Sequence, residues 1–223
     1  MINRRQYLAS FLTLASLGAG IFVPRPTLAQ SSSNILNDTK RLTAERYVGA
    51  ANAPVTIIEF SSMTCPHCAT FHAKVFPEIE KKYIKAGVVR FVFRDFPLDS
   101  TAAAVSMLLR CVPEDRYEPF MRNMFKEQKR WTGAAEPIRE VLKLAQRAGL
   151  SRKVSEVCLD KRELFDHILE RRGHASKRFN VNSTPTFVIY GGMTANPKGN
   201  DFSTLRGVED LHVFDKHIRK YLK

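Results

Sequence analysis

Cysteine is scarce in this chain. Four among 223 residues are too few for a small disulfide-stapled scaffold, so the core has to come from packing. Tryptophan occurs once, at Trp131, where it reads as a packing residue. Acidic residues are also in short supply, 22 against 35 Lys and Arg, for a net charge of +13. Such a surplus invites a nucleic-acid reading. The cations are scattered along helical stretches, however, as in Lys81-Lys82, Lys129-Arg130, Arg171-Arg172 and Lys177-Arg178. A solvated basic surface, with no nucleic acid as partner, is the expectation. Internal repeats and low-complexity tracts are missing too. With 44 % hydrophobic and 26 % charged residues, the chain suits one large domain, or one domain carrying an insertion.

Residues 1–29 read as an export signal peptide. Arg4 and Arg5 supply a charged start, Tyr7 to Val23 an apolar stretch weakened by Gly18 and Gly20, and Thr27-Leu28-Ala29 a small-residue cleavage site. The run Asn3-Arg4-Arg5-Gln6-Tyr7-Leu8 resembles a twin-arginine signal. Either route delivers the protein outside the cytoplasm, where disulfides persist. The leader holds three arginines and no acid, so its removal lowers the net charge by three.

Residues 30–53 are polar, close on a loop signal ending at Pro54, and read as a linker or N-terminal extension. Val55 to Phe60 is a β-branched run that predicts a buried strand. From Cys65 the spacing of Phe71, Val75, Phe76, Ile79 and Tyr83 predicts one helix, stopped by Gly87. Val88 to Phe93 predicts a second strand, completing a βαβ unit. Four helical stretches follow, at about 100–112, 114–128, 134–149 and 151–159, then a longer helix from Arg162 to Phe179. Thr186 to Tyr190 and Phe202 to Arg206 read as two strands, and Glu209 to Tyr221 as a closing helix. With residues 99–160 set aside as an inserted helical subdomain, a four-stranded α/β core remains.

Chemistry concentrates in Cys65-Pro66-His67-Cys68. Two thiols with two residues between them can close into a disulfide and reopen. At a helix start, with His67 beside the first, Cys65 is set up to be a thiolate. This points to redox chemistry on other proteins' cysteines. Haem attachment would need His in place of Ala69. A zinc site would need a second CxxC or an HxxxH, and neither occurs. Met63, Cys65 and Cys68 do offer soft ligands for Cu(I), so a copper metallochaperone is the alternative from another class.

The CPHC motif, the strand before it and the later Ser183-Thr184-Pro185-Thr186-Phe187 resemble the thioredoxin superfamily, and within it the DsbA-like branch of bacterial envelope thiol oxidases. The resemblance covers residues 46–222. The long interval between Cys68 and Pro185 fits a thioredoxin fold with an inserted helical subdomain.

The resemblance implies that Cys65 is the exposed nucleophile, with Pro66 and His67 tuning it, and that Cys68 is the buried resolving thiol. Nucleophile pKa values of about 3.5 for DsbA and about 7 for thioredoxin bracket the expectation. It further implies that Pro185 is cis opposite the pair, with Thr184 beside it binding extended client chain. Glu59 would be a buried acid moving protons to or from Cys68, with burial disfavouring its charged form. Cys111 and Cys158, both in the insertion, are expected to pair; two buried free thiols are the alternative.

Reduced unfolded secreted proteins as clients, a DsbB-like membrane reoxidant, a periplasmic location and a monomeric state follow by the same likeness, with no cofactor and no metal. Thr184 is a departure, since the best-known oxidase carries an aliphatic residue there. Threonine also occurs in the reductase and isomerase branches, which keeps those activities as alternatives. His72, one helical turn beyond Cys68, is expected at the surface.

Overall fold

Strand β2 (Val55–Ser61) is buried at every position, as its β-branched run demands. In the computed structural model, which describes residues 36 and 38–222, it lies at the centre of a five-stranded sheet of order β1-β3-β2-β4-β5. The expected leader and its cleavage site lie outside the described residues. Strand β3 (Val89–Asp95) runs parallel to β2, and β4 (Thr186–Gly191) antiparallel. Strand β5 (Ser203–Arg206), one of the two strands expected there, pairs antiparallel with β4.

The expected four-stranded core is one strand short. Ahead of Pro54, the described residues carry helix α1 (Thr39–Thr43) and strand β1 (Arg46–Val48), which pairs antiparallel with β3 through Tyr47 opposite Val92. Three residues are too few to show a period of two. Moreover, the inward-facing Arg46 is a charged residue that is buried.

The predicted helix from Cys65 to Tyr83 is broken. Helix α2 (Pro66–Lys74) ends before the short α3 (Phe76–Ile79), and a π-helical turn (Glu80–Ile84) follows. Pro77 has no N–H to continue the ladder. Gly87 then reverses the chain at φ +70°.

Two layers cover the sheet. Val55 and Ile57 of β2, with Phe91, Phe93 and Phe187, face α2, the insertion and α10 (Leu211–Lys220). Ile58 and Phe60 face the other way, against Ala175 and Phe179 at the end of α9 (Arg162–Phe179). Period-two alternation therefore places Glu59 on the α2 side, between Phe93 and Phe187 of the neighbouring strands.

The insertion comprises α4 (Ser100–Cys111), α5 (Glu114–Lys126), α6 (Gln128–Thr132), α7 (Pro137–Arg147) and α8 (Arg152–Leu159). Trp131 fills its centre, its indole N–H bonded to the Met124 carbonyl at 2.8 Å. Arg110 on α4 binds Asp95 at the end of β3 (2.7 Å) and the carbonyls of Leu42 and Ala44 (both 3.1 Å). Glu45 in turn accepts from Arg94 at 2.6 Å and Arg90 at 3.2 Å. These bonds secure the N-terminal arm to the sheet.

Cys111 and Cys158 are joined as a disulfide between α4 and α8, closing a sequence separation of 47. On the chain-entropy model such a loop is worth about 4 kcal/mol. Replacing both cysteines by alanine is expected to lower unfolding stability by about 3 kcal/mol in urea, with the Cys65 thiol still titratable. A loss under about 1 kcal/mol would count against a stabilising bridge.

Candidate active site

The loop between β2 and α2 is held from three directions. The Thr64 hydroxyl donates to Asp99 at 2.6 Å, and the same carboxylate accepts from the Ala102 N–H, capping α4. The Ser62 hydroxyl receives the Leu98 N–H at 3.3 Å. From the insertion, the buried Gln128 side-chain amide donates to the carbonyls of Met63 (2.8 Å) and Cys65 (3.0 Å). These bonds fix the backbone that presents the motif.

Cys65 is the N-cap residue of α2, with extended backbone, and Pro66 occupies the first helical position. Proline suits that place because its missing N–H would have had no helical partner there. Opposite stands the Thr184–Pro185 bond, which is cis, and the Cys65 thiol donates to the Thr184 carbonyl at 3.3 Å. In the dithiol form that carbonyl is thus already occupied. Neither sulfur is freely exposed, contrary to the simple expectation for Cys65. It retains 6 % exposure against 0 % for Cys68, so the opening onto the pair lies at Cys65.

Charge separates the two thiols further. The Cys65 pKa falls from the ordinary thiol value to about 5. The main cause is a hydrogen bond from the Cys68 thiol. Burial opposes it, and the Thr184 hydroxyl and the backbone N–H groups of Cys68 and His67 assist it. The Thr184 hydroxyl is buried without a partner among the described residues while Cys65 is a thiol, and becomes a donor when the sulfur ionises. The Cys68 pKa is pushed well up, first by burial, then by its bond to Cys65 and by the nearby Glu59 carboxylate. One member of the pair ionises readily and the other holds its proton.

His67 contributes through its backbone; its ring is exposed and makes no hydrogen bond or ion pair among the described residues. Glu59 is fully buried, and both its oxygens lie against Nε2 of His72, at 3.1 and 2.9 Å. His72 is therefore buried, not exposed as expected. It is buried against Phe125, ring centroids 4.4 Å apart and nearly parallel.

Its spacing of four from Cys68 was the available signal: both residues ride the face of α2 that meets β2. Gln128 and Asp99 carried no local signal, since their partners are distant in sequence. Cys111 and Cys158 lie apart in the insertion. Met63 is buried, and among the described residues no three His, Cys, Asp or Glu side chains group to hold a metal ion.

Residues 41–205 match the family model described as thioredoxin. The chain belongs to that family. Its fold is that of the DsbA-like proteins, with their helical insertion. The solved structure of Wolbachia pipientis alpha-DsbA1 superposes with a TM-score of 0.72 at 27 % identity, over 79 % of this chain and 90 % of that one. A putative protein-disulfide oxidoreductase of Rickettsia bellii is 27 % identical over 158 residues, 70 % of this chain but 61 % of its own length. The chain thus spans about three-fifths of that relative. A probable disulfide bond formation protein D of Bacillus cereus is 24 % identical over 84 % of this chain and 88 % of its own.

The reduced protein is expected to show one thiolate in ultraviolet absorbance, appearing with a midpoint near pH 5, and alkylation at neutral pH confined to Cys65. A midpoint at the ordinary thiol value would refute the geometry described. Thr184→Val removes one donor and should raise the midpoint by about one pH unit. Because the folded value lies below the unfolded one, ionisation of Cys65 stabilises the folded dithiol fully above the unfolded thiol pKa. That stabilisation is lost as the pH falls towards about 5.

Proposed function

We propose that this protein is an exported thiol:disulfide oxidoreductase that donates its Cys65–Cys68 disulfide to reduced secreted proteins. The observation that carries the reading is the opposed ionisation of the two thiols, Cys65 at about 5 and Cys68 well above the ordinary value. A stabilised thiolate favours the reduced form, so the oxidised form takes electrons readily. The disulfide-oxidoreductase and disulfide-bond-formation names of the relatives support the same activity.

A client thiolate attacks Cys65 Sγ, the Cys65–Cys68 bond breaks, and Cys68 takes up a proton, with Glu59 as the nearby acid. A second client thiolate then attacks the client sulfur of the mixed disulfide, and Cys65 leaves as a thiolate. Its low pKa makes it a good leaving group. Two client thiols are oxidised and one protein disulfide is reduced. The disulfide must then be restored by a membrane reoxidant of the DsbB type. Thr184, with its backbone and hydroxyl at the sulfur, would pair with the extended client. Signal cleavage after residue 29 and action as a monomer in the periplasm complete the reading.

Thr184 is also the feature that favours the second reading, a reductase or isomerase on the same fold. Threonine at this place, rather than the aliphatic residue of the best-known oxidase, is shared with the reductase and isomerase branches. Equilibrating the protein with a glutathione buffer separates an oxidase from a reductase. An oxidase should lie well above thioredoxin's potential of about −270 mV, and a value near it would overturn the oxidase reading. Cys65→Ser should abolish oxidation of a reduced test protein, and Cys68→Ser should accumulate the mixed disulfide. Undiminished oxidation by Cys65→Ser would overturn the mechanism.

A further inference from the structure

Neither Cys68 nor Glu59 has any exposed surface. Yet Cys68 must gain a proton each time the disulfide opens and lose it each time the disulfide re-forms. The Cys65 side offers little, because the client sulfur sits there during exchange. A carboxylate sealed in a sheet between Phe93 and Phe187 can hold one proton but cannot exchange it with solvent by itself.

The side chain in contact with it is His72. Both Glu59 oxygens converge on Nε2, and Nδ1 on the other side of the ring is buried with no hydrogen-bond partner among the described residues. An unpaired buried ring nitrogen carries a desolvation cost unless something outside the protein serves it. His72 also lines a surface pocket of about 800 Å³, with Ala69, Ala73, Phe125 and Gln128. The charged groups at that pocket are Lys74 from α2, Arg122 and Lys126 from α5, and Lys129 from α6. Glu59 faces the ring from β2. Phe125 and Phe76 hold the ring in place, with centroids 4.4 and 5.1 Å away.

We infer that His72 relays the proton between Glu59 and the solvent of this pocket, acting as a positioning and relay residue for the resolving thiol. The inference rests on the oxidoreductase reading above. When the client thiolate breaks the Cys65–Cys68 bond, the electron pair stays on the Cys68 sulfur, which takes the proton of the Glu59 carboxyl. Glu59 is refilled by the Nε2 proton of His72 as a proton from solvent enters at Nδ1. Imidazole is suited to this because it can gain a proton at one nitrogen while releasing one from the other. Reoxidation runs the same path backwards, and no electrons pass through the dyad.

The test follows the step in which Cys68 must lose its proton. Reduced protein is mixed with excess oxidised glutathione, the reaction is quenched with acid, and the lifetime of the Cys65–glutathione mixed disulfide is read by mass spectrometry. His72→Gln keeps a donor for Glu59, and His72→Phe keeps the stack on Phe125; neither can pass a proton through the ring. Both should lengthen the lifetime about tenfold at neutral pH, while Cys65 still titrates near pH 5.

A wild-type lifetime in His72→Gln would show that a hydrogen bond to Glu59 suffices. A wild-type lifetime in His72→Phe would show that packing suffices. A Cys65 midpoint that moves with the lifetime would show a structural disturbance of the helix start. Each of these overturns the relay. Glu59→Gln run in parallel separates the layers: if it alone prolongs the mixed disulfide, the acid's role stands and the relay falls, and if no variant does, both fall. The wild-type protein gives a check independent of any variant's folding. Its mixed disulfide should last about twice as long in D2O, and an unchanged lifetime would overturn the relay.

Discussion

Two sulfurs with only two residues between them cannot both be charged, and the whole molecule is arranged around which one is. Cys65 meets the free N–H groups of a helix start, the Thr184 hydroxyl and the Cys68 thiol. Cys68, nearly a full turn further, is turned into an apolar interior beside a carboxylate. The difference is geometric before it is chemical. Strand β2 ends, the chain turns at Ser62 to Thr64, and α2 begins with its first turn over the sheet. One sulfur is thereby left at the rim and the other underneath. A thioredoxin fold supplies this placement through its central βαβ unit, which is why the motif at the end of β2 means so much more than a CxxC elsewhere.

The insertion serves the same asymmetry from outside. Asp99 at its first helix and Gln128 on α6 both bind the turn that presents Cys65. Phe125 beneath them presses on the His72 ring. Helices absent from a minimal fold thus supply several of the fixed contacts of the site. The Cys111–Cys158 bridge spans the insertion from α4 to α8, so the scaffold around the reactive pair is covalently tied at a distance from it.

Much of this was legible in the residues, for identifiable reasons. Strand β2 announced itself because a buried parallel strand is written as a continuous β-branched run. Cys65 was assigned to a helix start because apolar spacing changes from runs to threes and fours just there. The Thr184–Pro185 segment was legible by resemblance, since nothing local distinguishes it from any strand opening. What escaped were residues whose meaning lies in a distant partner. His72 interrupts an apolar face, so amphipathic reasoning assigns it to solvent; only the carboxylate across the core accounts for it. Gln128 satisfies carbonyls more than 60 residues away. Strand β1 is three residues long and carries a buried arginine, which defeats both propensity and alternation. The break at Pro77 was written in the sequence, yet the apolar spacing continued past it.

The sheet's margins have a consequence of their own. Its outer strands span three and four residues, against seven for β2 and β3. A protein proposed to work among unfolded chains is surrounded by extended segments, any of which would add to a long open margin and stay. Short borders offer such a segment only one or two ladder bonds, too few to hold it. On the proposed function, strand-like capture would thereby be left to the Thr184 loop, where a sulfur waits. The same design that guards against clumping makes the encounters that do last the chemically useful ones.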